Sequence, residues 1–182
     1  PILFGGVEGV MAQSYNTHTV NFAEARLNDG QRILAFNDLF IGAASHISAR
    51  YRILFGNRQE EHSSSGIIVS TPTGSTGWLS SVFNMAYGVA GLFEKDLTPK
   101  YPRLNNNQLL FAVREPFRSV RTQADVSVGM IDNNHTLRIE SLMPSGGVIF
   151  SDGIEKDFLC FNSGSVATIG VAKEVANLVN IS

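Results

Sequence analysis

The chain holds one cysteine, Cys160, in 182 residues, so no disulfide can form within it. Flanked by Leu159 and Phe161, Cys160 reads as a buried, reduced thiol. Charge is sparse. Charged residues make up 16% of the chain, and 14 Lys and Arg against 16 Asp and Glu leave a formal net charge of -2. That balance offers no electrostatic attraction to a nucleic-acid backbone or an anionic membrane surface. No apolar run approaches the ~20 residues that a bilayer-spanning helix needs. No basic segment leading into an apolar one opens the sequence, so no secretory signal is read and a cytoplasmic location is expected. His18, His46, His62 and His135 are scattered without metal-ligand spacing, and no metal site is expected. The phosphate-binding loop Gly-x4-Gly-Lys-Ser/Thr and the dinucleotide fingerprint Gly-x-Gly-x-x-Gly are both missing, and so is the Gly-x-Ser-x-Gly nucleophile elbow.

What is present is a globular composition, 43% hydrophobic, in a length that suits one domain with a core of its own. Short apolar stretches separated by turn signals dominate. Tyr51, Ile53 and Phe55 alternate before Gly56-Asn57, a hairpin signal. Leu109 to Val113, Val126-Val128-Met130, Leu137-Ile139, Val148 to Phe150, Phe158 to Phe161 and Ser165 to Val171 read as further strands. Asn133-Asn134 reads as a hairpin-like turn, and Glu60 to Ser65 as a polar connection. The segment 94–108, with Pro99, Pro102 and three consecutive Asn, reads as an exposed loop. A short helix is expected within the first 27 residues, carrying Phe22, Ala25 and Arg26, and another in the tail from Ala172. The class is mainly β or α+β, with stacked antiparallel sheets and one prominent helix.

That helix follows the most informative segment, Gly66-Ile67-Ile68-Val69-Ser70-Thr71-Pro72-Thr73-Gly74-Ser75-Thr76-Gly77-Trp78. Ile67 to Val69 is too continuous for a half-exposed strand and suggests one buried on both faces. Pro72 cannot donate to a sheet ladder, so the strand stops before it. The loop's small residues allow close backbone approach, and a helix start presents unpaired N–H donors. Ser75 or Thr76 is expected to cap the helix, and Trp78, Val82, Met85, Ala86, Val89 and Phe93 form its apolar stripe. Asn37-Asp38 interrupts the apolar run from Arg32 to Ile41. The pair is either a turn joining two strands or a ligand-facing amide and carboxylate at a strand end.

The run Ser-Thr-Pro-Thr-Gly-Ser-Thr, 70–76, closely resembles the signature of the C-terminal domain of NAD kinases. The family usually continues Ala-Tyr with a Ser four residues after the Ala; this chain has Gly77-Trp78 and then Ser81. Ala35-Phe36-Asn37-Asp38-Leu39-Phe40-Ile41-Gly42 is similar to the family's Leu-Asn-Glu and the apolar strand after it. Ser64-Ser65-Gly66, Phe-Ile-Gly at 40–42, Trp78 and Phe111-Ala112-Val113-Arg114-Glu115-Pro116 resemble the mitochondrial type of NAD kinase. Val148-Ile149-Phe150-Ser151-Asp152-Gly153 is similar to a late apolar-Asp-Gly run. The resemblance covers most of the chain, and 70–76 is its most specific part.

The resemblance implies a β-sandwich-like C-terminal domain that holds NAD. Asn37 and Asp38 would take ribose hydroxyls, one donating and one accepting. Thr76, Gly77, Trp78 and Ser81 would line the nicotinamide side, with Trp78 either stacking on a ring or filling the core. Ser65, where most members have Asp, and Asp152 would stand near the ligand. The enzyme would transfer the terminal phosphoryl group of ATP, or of polyphosphate, to the 2′-hydroxyl of NAD's adenosine ribose, with Mg²⁺, giving NADP. A homodimer or homotetramer is implied. The family's Gly-Gly-Asp-Gly loop, which carries the catalytic Asp, does not occur here; Gly5-Gly6-Val7-Glu8-Gly9 is only superficially similar. Residues 1–30 are accordingly read as the end of an N-terminal α/β domain and 31–182 as the β-rich NAD-binding domain. No catalytic residue is assigned to this segment. A kinase acting on another alcohol, such as a lipid, and a non-catalytic nucleotide sensor remain alternatives.

Overall fold

The computed structural model describes residues 16–94 and 98–180. Among these residues, twelve strands form two six-stranded sheets, with one α-helix after the sixth strand and longer connections at 91–108 and 114–127. In chain order the strands are β1 (Asn16–Leu27), β2 (Arg32–Ala35), β3 (Asp38–Ala43), β4 (Ala49–Phe55), β5 (Arg58–Ser64) and β6 (Ile67–Ser70). After the helix α1 (Trp78–Ala90) come β7 (Leu109–Val113), β8 (Val128–Ile131), β9 (Leu137–Ser141), β10 (Gly147–Ser151), β11 (Phe158–Cys160) and β12 (Val166–Asn180). One sheet runs β2-β1-β12-β9-β4-β5 and the other β11-β10-β3-β6-β7-β8. The expected mainly-β architecture is observed.

Alternation builds the core. Ala23, Ala25, Tyr51, Ile53, Leu137, Ile139, Ala167 and Ile169 point inward from the first sheet and meet Leu39, Ile41, Ile67, Val69, Leu109, Phe111 and Ile149 of the second. The second sheet is covered on its other face as well. Leu110 and Ala112 pack there under Leu79, Val82 and Phe83 of α1, and Phe40, Val148 and Phe150 pack with Trp78. All four residues of β6 are buried, as its continuous apolar run suggested.

Several expectations are corrected. Phe22, Ala25 and Arg26 lie on strand β1, not on a helix, and the tail from Ala172 continues strand β12. The two strands pair from Asn16↔Asn180 to Leu27↔Ala167, with a register shift between Asn21 and Ala23. This long pairing overrides local helical spacing, and it makes residues 16–27 part of the same sheet as β9 and β4. The polar connection at 60–65 is largely strand β5, whose Glu60, His62 and Ser64 face inward. Asn133-Asn134 does not close a hairpin: β8 pairs with β7, while β9 pairs with β4 and β12 in the other sheet. Val128 and Met130 project outward from edge strand β8, and Ile131 faces in. Cys160 is exposed, because β11 is also an edge strand. The apolar stripe of α1 is only partly used. Leu79 is buried, but Met85, Val89 and Phe93 are 50%, 55% and 87% exposed, and the helix ends at Ala90. The Gly-Gly-Val-Glu-Gly run at 5–9 lies outside the described residues.

Candidate functional site

Strand β6 ends at Ser70, and the chain turns through Thr71-Pro72-Thr73 into a 3₁₀ turn over Gly74–Thr76 before α1 begins. Opposite it, β2 ends at Ala35 and β3 starts at Asp38, leaving Phe36-Asn37 as a corner. The two turns are bonded together. The Thr71 N–H donates to the Asn37 carbonyl at 2.9 Å, and the Thr71 hydroxyl to the carbonyls of Phe36 and Asn37 at 2.7 and 3.1 Å. The Gly74 N–H donates to the same hydroxyl oxygen at 3.1 Å. A Cβ at Gly74 would stand 2.1 Å from the Asn37 carbonyl oxygen, so only glycine fits this approach. Neither Ser75 nor Thr76 caps α1. Gly77 occupies the cap position, and the Ser75 hydroxyl donates back to the Pro72 carbonyl at 2.7 Å.

A third turn closes the corner from the other side. Asp152, just after β10, accepts from the N–H groups of Phe36, Asn37 and Asp38 at 2.9, 2.6 and 3.2 Å. Its own N–H donates to the Asp38 carbonyl at 2.9 Å. Between the three turns lies an open cleft of about 430 Å³, lined by Asn37, Asp38, Thr73, Gly74, Thr76, Gly77, Trp78, Asp152 and Gly153. The Asn37 amide and the Asp38 carboxylate make no hydrogen bond to the described residues, although both side chains are half-buried. Burial, and secondarily the charge of Asp152, push the Asp38 carboxyl above its ordinary value. Such a pair costs folding energy unless something else occupies it. An amide and a carboxylate side by side, in a cleft that Thr73 and Thr76 also line, suit a polyol that both donates and accepts.

No protein-family model matches the chain, and no curated protein matches it in sequence. Among solved structures, an NADH kinase from yeast, determined in complex with NADH, superposes with a TM-score of 0.67 at 17% identity. The match covers 97% of this chain and 48% of the yeast one. The chain has an NAD kinase-like fold. It spans about half the length of that kinase.

Of the residues the NAD kinase resemblance singles out, Asn37, Asp38, Thr76, Gly77, Trp78 and Asp152 share the cleft. Ser65 and Ser81 do not line it. The Ser65 hydroxyl donates to Glu115, and Ser81 is exposed on α1. Trp78 is largely taken up by the protein: Phe40 stacks on it at 5.6 Å with the planes 7° apart, and the Arg114 guanidinium lies over the ring at 5.3 Å. The ring therefore packs against the core while also lining the cleft. Thr73, Gly74 and Gly153 line the cleft and were not singled out. Thr73 and Gly74 belong to the signature run itself, and Gly153 adjoins Asp152. Among the described residues, no group of three or more His, Cys, Asp or Glu is arranged to hold a metal ion.

Proposed function

We propose that this chain is the NAD-holding part of a kinase that transfers a phosphoryl group to the 2′-hydroxyl of NAD's adenosine ribose, giving NADP. The observation that carries the reading is the pair of cleft-facing side chains, Asn37 and Asp38, that the described residues leave without partners. A ribose diol satisfies both: one hydroxyl donates to the carboxylate and the other accepts from the amide. The likeness in fold to an NADH kinase solved with NADH supports a dinucleotide over other polyols.

In this reading the chain's work is positioning. The three turns hold the acceptor ribose rigidly, and the aromatic block of Trp78, Phe40 and Phe150 backs one wall. The described residues do not fit a Mg²⁺ site of their own, so neither the metal nor the ATP or polyphosphate donor is assigned to them. Self-association into a dimer or tetramer belongs to the same proposal. It is supported by the apolar side chains that α1 leaves exposed.

Calorimetric titration tests the assignment. The chain is titrated in parallel with NAD, NADH and a micellar diacylglycerol. Saturable binding of a dinucleotide, without binding of the lipid alcohol, is the expected outcome. Binding of the lipid alone, or of neither class, would overturn the proposal.

A further inference from the structure

The cleft's polar side chains are not in the same condition. Asn37 and Asp38 present side chains without partners among the described residues, whereas both oxygens of the Asp152 carboxylate are already engaged. Its Oδ2 accepts from the Phe36 N–H, and its Oδ1 from the N–H groups of Asn37 and Asp38. An ordinary Asp in a turn bonds its own turn, two or three residues on. This one bonds residues more than a hundred positions earlier in the chain. It does so from the left-handed region, at φ 53, which Asp tolerates better than most residues. Together with Thr71 on the opposite side, it suspends the Phe36–Asp38 corner between two strands of the second sheet, β6 and β10.

We infer that Asp152 is a positioning residue for this site: its carboxylate fixes the backbone from which Asn37 and Asp38 reach a ribose diol, and it does not itself bind the ligand. The inference rests on the ribose reading proposed above. Charge follows geometry here. Asp152 is the one charged group acting on the Asp38 carboxyl among the described residues, and it adds to burial in raising the value at which Asp38 ionises. Asp38 must be ionised to accept from a hydroxyl in the way proposed. Dinucleotide affinity should therefore rise with pH as Asp38 loses its proton, and the position of that rise should report the charge at 152.

Two measurements decide this. In the unaltered chain, hydrogen exchange followed by NMR should show the amides of Phe36 and Asn37 protected, because the Asp152 carboxylate accepts from both. In Asp152→Asn, NADH affinity at neutral pH should fall about tenfold or more, and the pH at which affinity rises should move lower, because the charge beside Asp38 is gone. A role confined to stability would leave the NADH affinity of the folded fraction unchanged. The inference is overturned if the amides of Phe36 and Asn37 exchange as freely as exposed ones, or if folded Asp152→Asn binds NADH with unchanged affinity. If Asp152→Asn does not fold, amide exchange in the unaltered chain decides alone. NADH binding to the unaltered chain tests the ribose reading separately, so failure there is distinguishable from failure here.

Discussion

Gly74→Ala should damage both fold and site, whereas Gly88→Ala, in the helix that follows, should stabilise. The contrast is geometric. At Gly74 a new methyl carbon would stand 2.1 Å from the Asn37 carbonyl oxygen and 2.5 Å from its carbon. Comfortable contact needs about 3.5 Å, so one turn must retreat by ~1 Å or more. Backbone cannot give way as cheaply as a side-chain tip. Overpacking costs roughly 1–3 kcal/mol, and each weakened Thr71–Asn37 bond adds about 0.5–1.5 kcal/mol. A total near 3 kcal/mol corresponds to a fall in Tm of ~6–12 °C for a domain of this size. Gly88 lies inside α1 with nothing within 4 Å of a built Cβ. Ala there should add about 0.5–1 kcal/mol through helix propensity. Thermal and denaturant melts of both variants check the signs, and NADH titration of Gly74→Ala should show weakened binding. If Gly74→Ala melted with the parent chain, the close approach of the two turns would be wrong, and the shape of the cleft with it.

Asp38→Asn should separate function from stability. The Asp38 carboxyl sits above its ordinary value in the folded state, so the stability tied to its proton is present at low pH and lost as pH rises through the folded value. At neutral pH the variant should melt no lower than the parent, while NADH affinity falls about ten- to a hundredfold; a large drop in Tm with unchanged affinity would make Asn37-Asp38 a structural turn. Glu60 should behave in the opposite sense. Burial opposes its ionisation, but bonds from His62, Val126 and Asp125 outweigh that and hold it below its ordinary value. Its contribution is therefore present above pH 4.5 and lost as pH falls through the lowered value. Glu60→Gln should flatten the acid limb of the stability profile and speed hydrogen exchange at the amides of Asp125 and Val126, and an unchanged acid limb would contradict this. Cys160 should react with a thiol reagent in the native state; a requirement for denaturant would mean that edge strand β11 is covered.

How far the sequence carried depended on where each residue's partners lie. Ile67 to Val69 was legible as a doubly buried strand because its apolar run is continuous, and all of β6 is buried. Strand β5 was not, because an inward row of Glu60, His62 and Ser64 looks like loop chemistry. Glu60 is satisfied by backbone N–H groups at 125 and 126, and Ser64 by Tyr51 on the paired strand at 2.7 Å. Strand β1 was misread for a similar reason: its partner, β12, lies some 150 positions away. The outward turn of Val128 and the exposure of Cys160 follow from edge positions that alternation alone cannot reveal. Within the site, the signature run and the Asn-Asp pair pointed to Asn37, Asp38, Thr76, Gly77 and Trp78, which meet in the cleft. The commitment of Asp152 to the 36–38 backbone, and of Ser65 to Glu115, emerged only from contacts distant in sequence.

The central claim is that the Asn37-Asp38 corner receives a ribose diol of NAD. A crystal structure of the chain soaked or co-crystallised with NADH tests it most directly. The account predicts the dinucleotide in the cleft between the 36–38, 71–77 and 152–153 turns, with ribose hydroxyls in hydrogen-bond reach of the Asn37 amide and the Asp38 carboxylate and the Asp152 carboxylate still on the backbone. NADH seated elsewhere on the chain, or in the cleft with both side chains turned away from its riboses, would contradict it.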